Sequence, residues 1–153
     1  MKKKRLLLSE EEMDLHIIDT FKNYFESLSH TDGARIETFY ANDIQFQDPV
    51  RKISGLENLR LYHNQFSKNL LQGGFRYTQQ TLLHDKAYLS WKLELEYKVP
   101  KKRVTVSGIT VLLVAEKIIS HRDYYDAGAL FYENLPIVGP IIRALKRQLS
   151  RNC

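Results

Sequence analysis

The chain has 153 residues and a net charge of +5, the size of one domain that buries about two-thirds of the surface its unfolded form exposes. Its mix of hydrophobic and charged residues, with few Gly or Pro, is that of a globular protein, and no segment approaches the length of a membrane span. The cations gather in three acid-free clusters at 1–5, 98–103 and 143–151, which leave the remainder at −7; lying at two ends and one hairpin tip, they argue against the contiguous basic surface that nucleic acid needs.

The first residues, Met1-Lys2-Lys3-Lys4-Arg5, resemble the start of a secretory signal, but the three leucines Leu6 to Leu8 are too few for its apolar core. With Cys153 as the single cysteine, no internal disulfide forms, and the expected compartment is the cytoplasm. Residues 1–8 read as a basic tail, 9–130 as one domain and 131–153 as a second basic tail.

Ser9 and Glu12 form a capping box, and Ile17, Ile18, Phe21, Tyr24, Phe25 and Leu28 then recur as one stripe of a helix. His30 to Gly33 reads as a break, and 34–41 as a short second helix closing at Asn42-Asp43. Ile44, Phe46 and Asp48 alternate on one side of a short strand that ends at Pro49. Gly55 opens a third helix whose buried stripe is Leu56, Leu59, His63, Phe66 and Leu70, and Gly73-Gly74 ends it.

After Gly74 the period becomes two. Residues 75–84, 88–99, 103–114 and 118–127 read as four strands of a meander, with Trp91, Leu93 and Leu95 facing one way. Helices first and a meander after predict an α+β fold: a curved antiparallel sheet, cone-shaped, with three helices enclosing a pocket. Both faces of 103–114 are apolar, since Ile109, Val111 and Leu113 oppose Val104, Val106, Thr110 and Leu112, which predicts a homodimer through the sheet. At the C-terminal end, Ile141, Ile142, Leu145 and Leu149 recur at helical spacing among Arg143, Lys146, Arg147 and Arg151. This basic amphipathic helix has two open placements: against protein, or on an anionic bilayer as a peripheral contact through 136–153.

A carboxyl at the end of an apolar strand is a candidate acid–base group, because an apolar pocket favours its neutral form. On the last strand Ile119, His121, Asp123 and Tyr125 share one face, which turns His121 and Asp123 inward and leaves Asp126 in reserve should a bulge reverse the parity. The expected pocket wall is Phe46, Tyr62, His63, Phe66, Trp91, His121, Tyr125 and Asp126, around a small hydrophobic ligand. Plainer roles stand beside these: Asp48 as a turn cap before Pro49, Tyr24 and His63 as core, His121 and Asp123 as a bonded pair. No His or Cys spacing matches a metal site, and no cofactor is expected.

The order of elements over about residues 10–130, with a strand ending in Asp-Pro, resembles the nuclear transport factor 2-like superfamily of cone-shaped barrels. That superfamily includes steroid delta-isomerases, limonene epoxide hydrolases and SnoaL-like polyketide cyclases. Tyr24 and Asp48, with Leu28, Asp32, Ile36, Ala41, Asp43, Pro49 and Val50 in register, are similar to the steroid isomerases. The resemblance implies Tyr24 as oxyanion donor and Asp48 as general base, with Arg60 and His63 on the third helix. That family's second oxyanion donor, an acid near Gly108 to Thr110, is missing. Arg122-Asp123-Tyr124 resembles a segment of the epoxide hydrolases, but Trp91 and Leu93 stand where an Arg and a second Asp belong, which argues against that activity. His121-x-Asp123-x-x-Asp126 is similar to the ending of the polyketide cyclases, which implies Asp123 as an acid–base residue. Two functions are therefore expected in competition: an isomerase or cyclase acting by proton transfer, or a non-catalytic carrier of an apolar molecule.

Overall fold

The computed structural model describes residues 9–29, 33–130 and 138–151. The N-terminal tail 1–8, the break at 30–32 with Asp32, the segment 131–137 and the last two residues lie outside them. Ser9 caps helix α1 (Glu10–Phe25): its Oγ accepts from Glu12 N–H at 3.2 Å while the Glu12 carboxylate accepts from Ser9 N–H at 2.8 Å. The apolar stripe of α1 buries Ile18, Phe21 and Phe25.

Residues Gly33–Thr38 form a 3-10 helix, after which the chain enters β1 (Tyr40–Gln47), then β2 (Lys52–Ser54) and helix α2 (Leu56–Lys68). Four long strands follow: β3 (Leu70–Leu83), β4 (Lys86–Tyr97), β5 (Lys102–Ala115) and β6 (Lys117–Tyr125). A four-residue turn of helix, α3 (Ala127–Leu130), and helix α4 (Val138–Arg151) complete the described chain.

The strands form one curved, open sheet in the order β2-β1-β6-β5-β4-β3. Every junction is antiparallel except β1–β6, which is parallel, so the sheet is mixed where the meander pattern predicted antiparallel pairing throughout. Parallel pairing arises because β1 comes before the meander and is reached from β6 only through space. Beneath the helices lies one core that joins Phe21, Phe25, Phe39 and Tyr40 to Trp91, Leu93, Leu112 and Ile118.

Several boundaries differ from the sequence reading: α1 ends at Phe25, short of Leu28, Leu70 opens β3 and does not lie on α2, and β2 is an added strand. Tyr40 to Asp43 belong to β1, not to a helix, because β1 is held between β6 and β2, and tertiary pairing overrides the turn propensity of Asn42-Asp43. Gly73-Gly74 do not end α2 but sit inside β3, where the end of α1 crosses the strand. A Cβ on Gly74 would lie 1.8 Å from the Glu26 carbonyl oxygen, and Leu28 N–H donates to Gly73 C=O at 2.8 Å. Glycine is there for a close backbone approach.

A bulge between Leu113 and Val114 resets the register of β6, so that Ile118 and His121 both face the core while Ile119, expected inward, is only half-buried. From His121 onward the expected parity holds, and His121, Asp123 and Tyr125 face the concave side.

Candidate functional site

A cavity of about 60 Å³ lies between α1, α2 and the concave face of the sheet. Phe21 and Phe25 come from α1 and Leu28 from the chain just after it, Tyr62, His63 and Phe66 from α2, and Phe75, Tyr77, Trp91 and Leu93 from β3 and β4. Its polar wall is Asp48, Thr110, His121, Asp123 and Tyr125, and Leu130 of α3 also lines it. That volume holds a few waters and is well short of the several hundred Å³ of a drug-sized ligand site. Larger occupants need the half-buried rings of Tyr62, Phe66, Phe75, Tyr77 and Tyr125 to swing, because Phe21, Phe25 and Trp91 are fixed in the core.

Two carboxyls face this space, and both are nearly sealed: Asp48 is 6% exposed and Asp123 9%. Their bonding differs. Asp48 sits at the corner between β1 and β2, where its own N–H donates to Arg51 C=O at 3.0 Å. Its Oδ1 accepts from the N–H groups of Val50 and Arg51 at 2.9 and 2.8 Å. Its Oδ2 accepts from the Tyr125 hydroxyl at 3.0 Å and pairs with Arg51 Nε at 3.3 Å. The Arg51 guanidinium in turn lies 4.6 Å over the Tyr62 ring. Both oxygens of Asp48 are engaged, in the manner of an Asp that builds its own turn ahead of Pro49.

Asp123 is held from one side only. Trp91 Nε1–H, which can only donate, reaches Thr110 Oγ1 at 2.8 Å, so the Thr110 hydroxyl passes its own proton on to Asp123 Oδ1 at 2.5 Å. A second chain begins at Tyr40, whose phenol burial pushes well above its usual pKa, with the Asp123 charge adding to the shift. The phenol keeps its proton and lies 2.6 Å from His121 Nδ1, and His121 Nε2–H donates to Asp123 Oδ1 at 2.8 Å. Two donor chains thus converge on Oδ1. Oδ2 accepts no hydrogen bond from any described residue, keeps accessible surface, and belongs to the cavity wall.

Gly108 makes this possible. It pairs with Trp91 across β4 and β5, and a Cβ there would lie 2.4 Å from the indole ring. The space near Gly108 to Thr110, where the resemblance to steroid isomerases asks for an acid, is filled by the Trp91 ring on its way to Thr110.

His63 stands on α2 between Tyr62 and Phe25, 5.6 and 5.3 Å between ring centroids. Burial lowers its pKa to about 3, and the neighbouring His121 adds to the shift, so the imidazole is neutral at physiological pH. Its Nδ1 is sealed from solvent without a hydrogen-bond partner, while Nε2 keeps surface in the cavity wall. A buried lone pair is left unpaired more often than a buried N–H, which places the proton on Nε2, facing the cavity.

Of the residues expected at the site, Asp48, Asp123, Phe46, Tyr62, His63, Phe66, Trp91, His121 and Tyr125 line the cavity. Two do not. Tyr24 packs against Phe25, Phe39 and His63 behind the wall, because the α1 stripe aims Phe21 and Phe25 at the cavity instead. Asp126 is exposed: it accepts from Ala129 N–H at 3.2 Å and from Lys146, so it caps α3 and holds α4. Sequence reading passed over Tyr40 and Thr110. Tyr40 lies at the same parity as Ile44, Phe46 and Asp48, but the alternation breaks between Tyr40 and Ile44, where Asn42 is exposed and the register with β6 shifts, so spacing did not signal it. Among the described residues no group of three His, Cys, Asp or Glu side chains has the arrangement to hold a metal ion.

The SnoaL-like domain family matches residues 21–121, and the chain belongs to that family. Solved structures share its fold. A protein from Catenulispora acidiphila with a ketosteroid isomerase-like fold, in complex with trimethylamine, is 17% identical with a TM-score of 0.66, over 74% of this chain and 87% of that one. A putative SnoaL-like polyketide cyclase from Shewanella putrefaciens is 16% identical with the same TM-score, over 76% and 92%. An epoxide hydrolase from M. tuberculosis of the LEH-like type is 15% identical with a TM-score of 0.63, over 78% and 86%. No curated protein matches the chain in sequence.

Proposed function

We propose that this protein binds a small, mostly apolar carbonyl compound in the cavity and moves a proton on it at Oδ2 of Asp123. The observation that carries this reading is the asymmetry of that carboxyl, anchored through Oδ1 and open to the cavity through Oδ2. As a base, Oδ2 takes a proton from the carbon next to the carbonyl. The electron pair moves onto the carbonyl oxygen, which accepts a hydrogen bond from His63 Nε2–H. Return of the proton to another carbon, or attack of the enolate within the molecule, gives isomerisation or cyclisation. Thr110, His121 and Tyr40 are positioning residues that fix the carboxyl through its other oxygen.

The test uses a small aryl ketone in deuterated buffer, with exchange of its α-protons followed by NMR. Wild type and Asp48→Asn should exchange it at similar rates per folded molecule, while Asp123→Asn should bind it without exchange. Binding with no exchange above buffer in wild type would make the protein a carrier.

The convex face of the sheet supports the homodimer expected from the sequence. Tyr88, Ile109 and Tyr124 are exposed there on adjacent strands, with Val111 and Leu113 half-buried among them. Light scattering of wild type and Ile109→Asp tests it: a dimer mass that falls to the monomer supports the interface, and a monomeric wild type refutes it.

A further inference from the structure

Helix α4 leaves its apolar side uncovered: Ile141, Leu145 and Leu149 are 57%, 55% and 68% exposed. At 3.6 residues per turn they fall within an arc of about 80°, and Arg143, Lys146 and Arg147 occupy the opposite half. The helix holds no acid over residues 138–151, yet carries four cations in its sequence. Fourteen residues are too few to cross a bilayer, and no described helix is long and apolar enough to do so. Such a helix has the composition of one that lies in a membrane interface, apolar side inward and cations at headgroup level.

A second element on the same end of the molecule has the same chemistry. The β4–β5 hairpin presents Val99, 76% exposed, among Lys98, Lys101, Lys102 and Arg103. Both elements border α3. Lys146 of α4 bonds Asp126 at the start of α3, and Leu130 at its end shares a surface hollow with Val99, Pro100 and Lys102. Two separate segments therefore bring an apolar tip and surrounding cations to one edge.

We infer that α4 and the β4–β5 hairpin dock together on an anionic lipid bilayer. Charge decides between occupants: an acid-free cationic helix repels its copy in a second chain, whereas anionic headgroups attract both elements at once. Leu130 also lines the internal cavity, so the proposed docking edge shares a residue with the cavity wall. The docking itself does not rest on the proton-transfer reading.

The experiment is co-sedimentation of the full chain with vesicles of phosphatidylcholine, with and without phosphatidylserine, at low and at high salt. The chain should pellet only with phosphatidylserine, and high salt should weaken binding. Arg143→Gln with Arg147→Gln should weaken it about thirtyfold, at about fivefold per cation. Leu145→Glu with Leu149→Glu should abolish it. Lys101→Gln with Lys102→Gln, remote in sequence from α4, should weaken it about as much as the arginine pair, so the surface is read even if an α4 variant loses its helix. No pelleting with phosphatidylserine at low salt would overturn the inference, and so would unchanged binding of the leucine pair. A fall in lipid-free mass for the leucine pair would also overturn it, by showing that a second copy covers that face.

Discussion

Asp48 and Asp123 are nearly equal in burial and line the same cavity, yet only one of them has an oxygen to spare. Asp48 closes a tight corner with four partners, two of them backbone N–H groups. Asp123 hangs by one oxygen from two donor chains that begin at Trp91 and Tyr40. Burial alone therefore does not mark a reactive carboxyl. What separates the two is which lone pairs the fold has already used.

The comparison breaks most visibly in rate. Asp123→Asn should lower α-proton exchange by about 10² to 10⁴, the usual worth of a general base. Asp48→Asn, which keeps an oxygen for the turn, should leave exchange per folded molecule within about threefold. The reverse order would transfer the base to Asp48.

Acid titration offers the next largest effect. Unfolded, His63 takes a proton near pH 6.5, and in the fold only near 3, so between those limits the unfolded chain binds more protons. The stability tied to this group is complete above about pH 6.5 and is lost as pH falls toward 3, with a slope of at most about 1.4 kcal/mol per pH unit. Urea midpoints at pH 7 and pH 4.5 should diverge in wild type and draw together in His63→Phe. An equal divergence in both would place the acid sensitivity elsewhere.

Stability then separates the two carboxyls in the opposite sense to rate. Asp48→Ala removes the carboxylate that accepts from two backbone donors and from the Tyr125 hydroxyl, and should cost about 2–3 kcal/mol in urea unfolding. Tyr40→Phe leaves His121 Nδ1 without its partner and should cost about 1–2 kcal/mol, with a fall in exchange rate as the carboxyl loosens. Asp19, on the surface beside Lys22, is the contrast: Asp19→Asn should change stability by less than about 0.5 kcal/mol.

Much of the fold was legible because it rests on periodicity. The stripe from Ile17 to Leu28 and the alternation around Trp91 gave α1 and β4 directly. Tyr40 was misread because Asn42 and Asp43 signal a turn locally, and the pairing of Tyr40 and of Gln45 to Gln47 with β6, on either side of an irregularity, is absent from any local window. Gly73-Gly74 likewise looked like a helix stop, since the crossing of α1 that requires them is a long-range contact. At the site, parity placed Asp48, His121 and Asp123 in the cavity, and the turn cap at Asp48 and the His121–Asp123 pair stood among the plainer roles, but which carboxylate oxygens these contacts use was not legible. That Oδ1 of Asp123 is tied by Thr110 while both oxygens of Asp48 are engaged depends on geometry to within tenths of an ångström, which spacing does not encode.

The most direct test of the account is a crystal structure of the chain soaked with a small phenol, whose hydroxyl mimics an enol oxygen and whose ring mimics the apolar body. The ring should displace Tyr62 or Phe66, and the hydroxyl should lie within hydrogen-bond reach of Asp123 Oδ2 or His63 Nε2, with the Asp48 corner unchanged. A phenol hydroxyl seated on Asp48, with Asp123 Oδ2 left facing hydrocarbon, would contradict it.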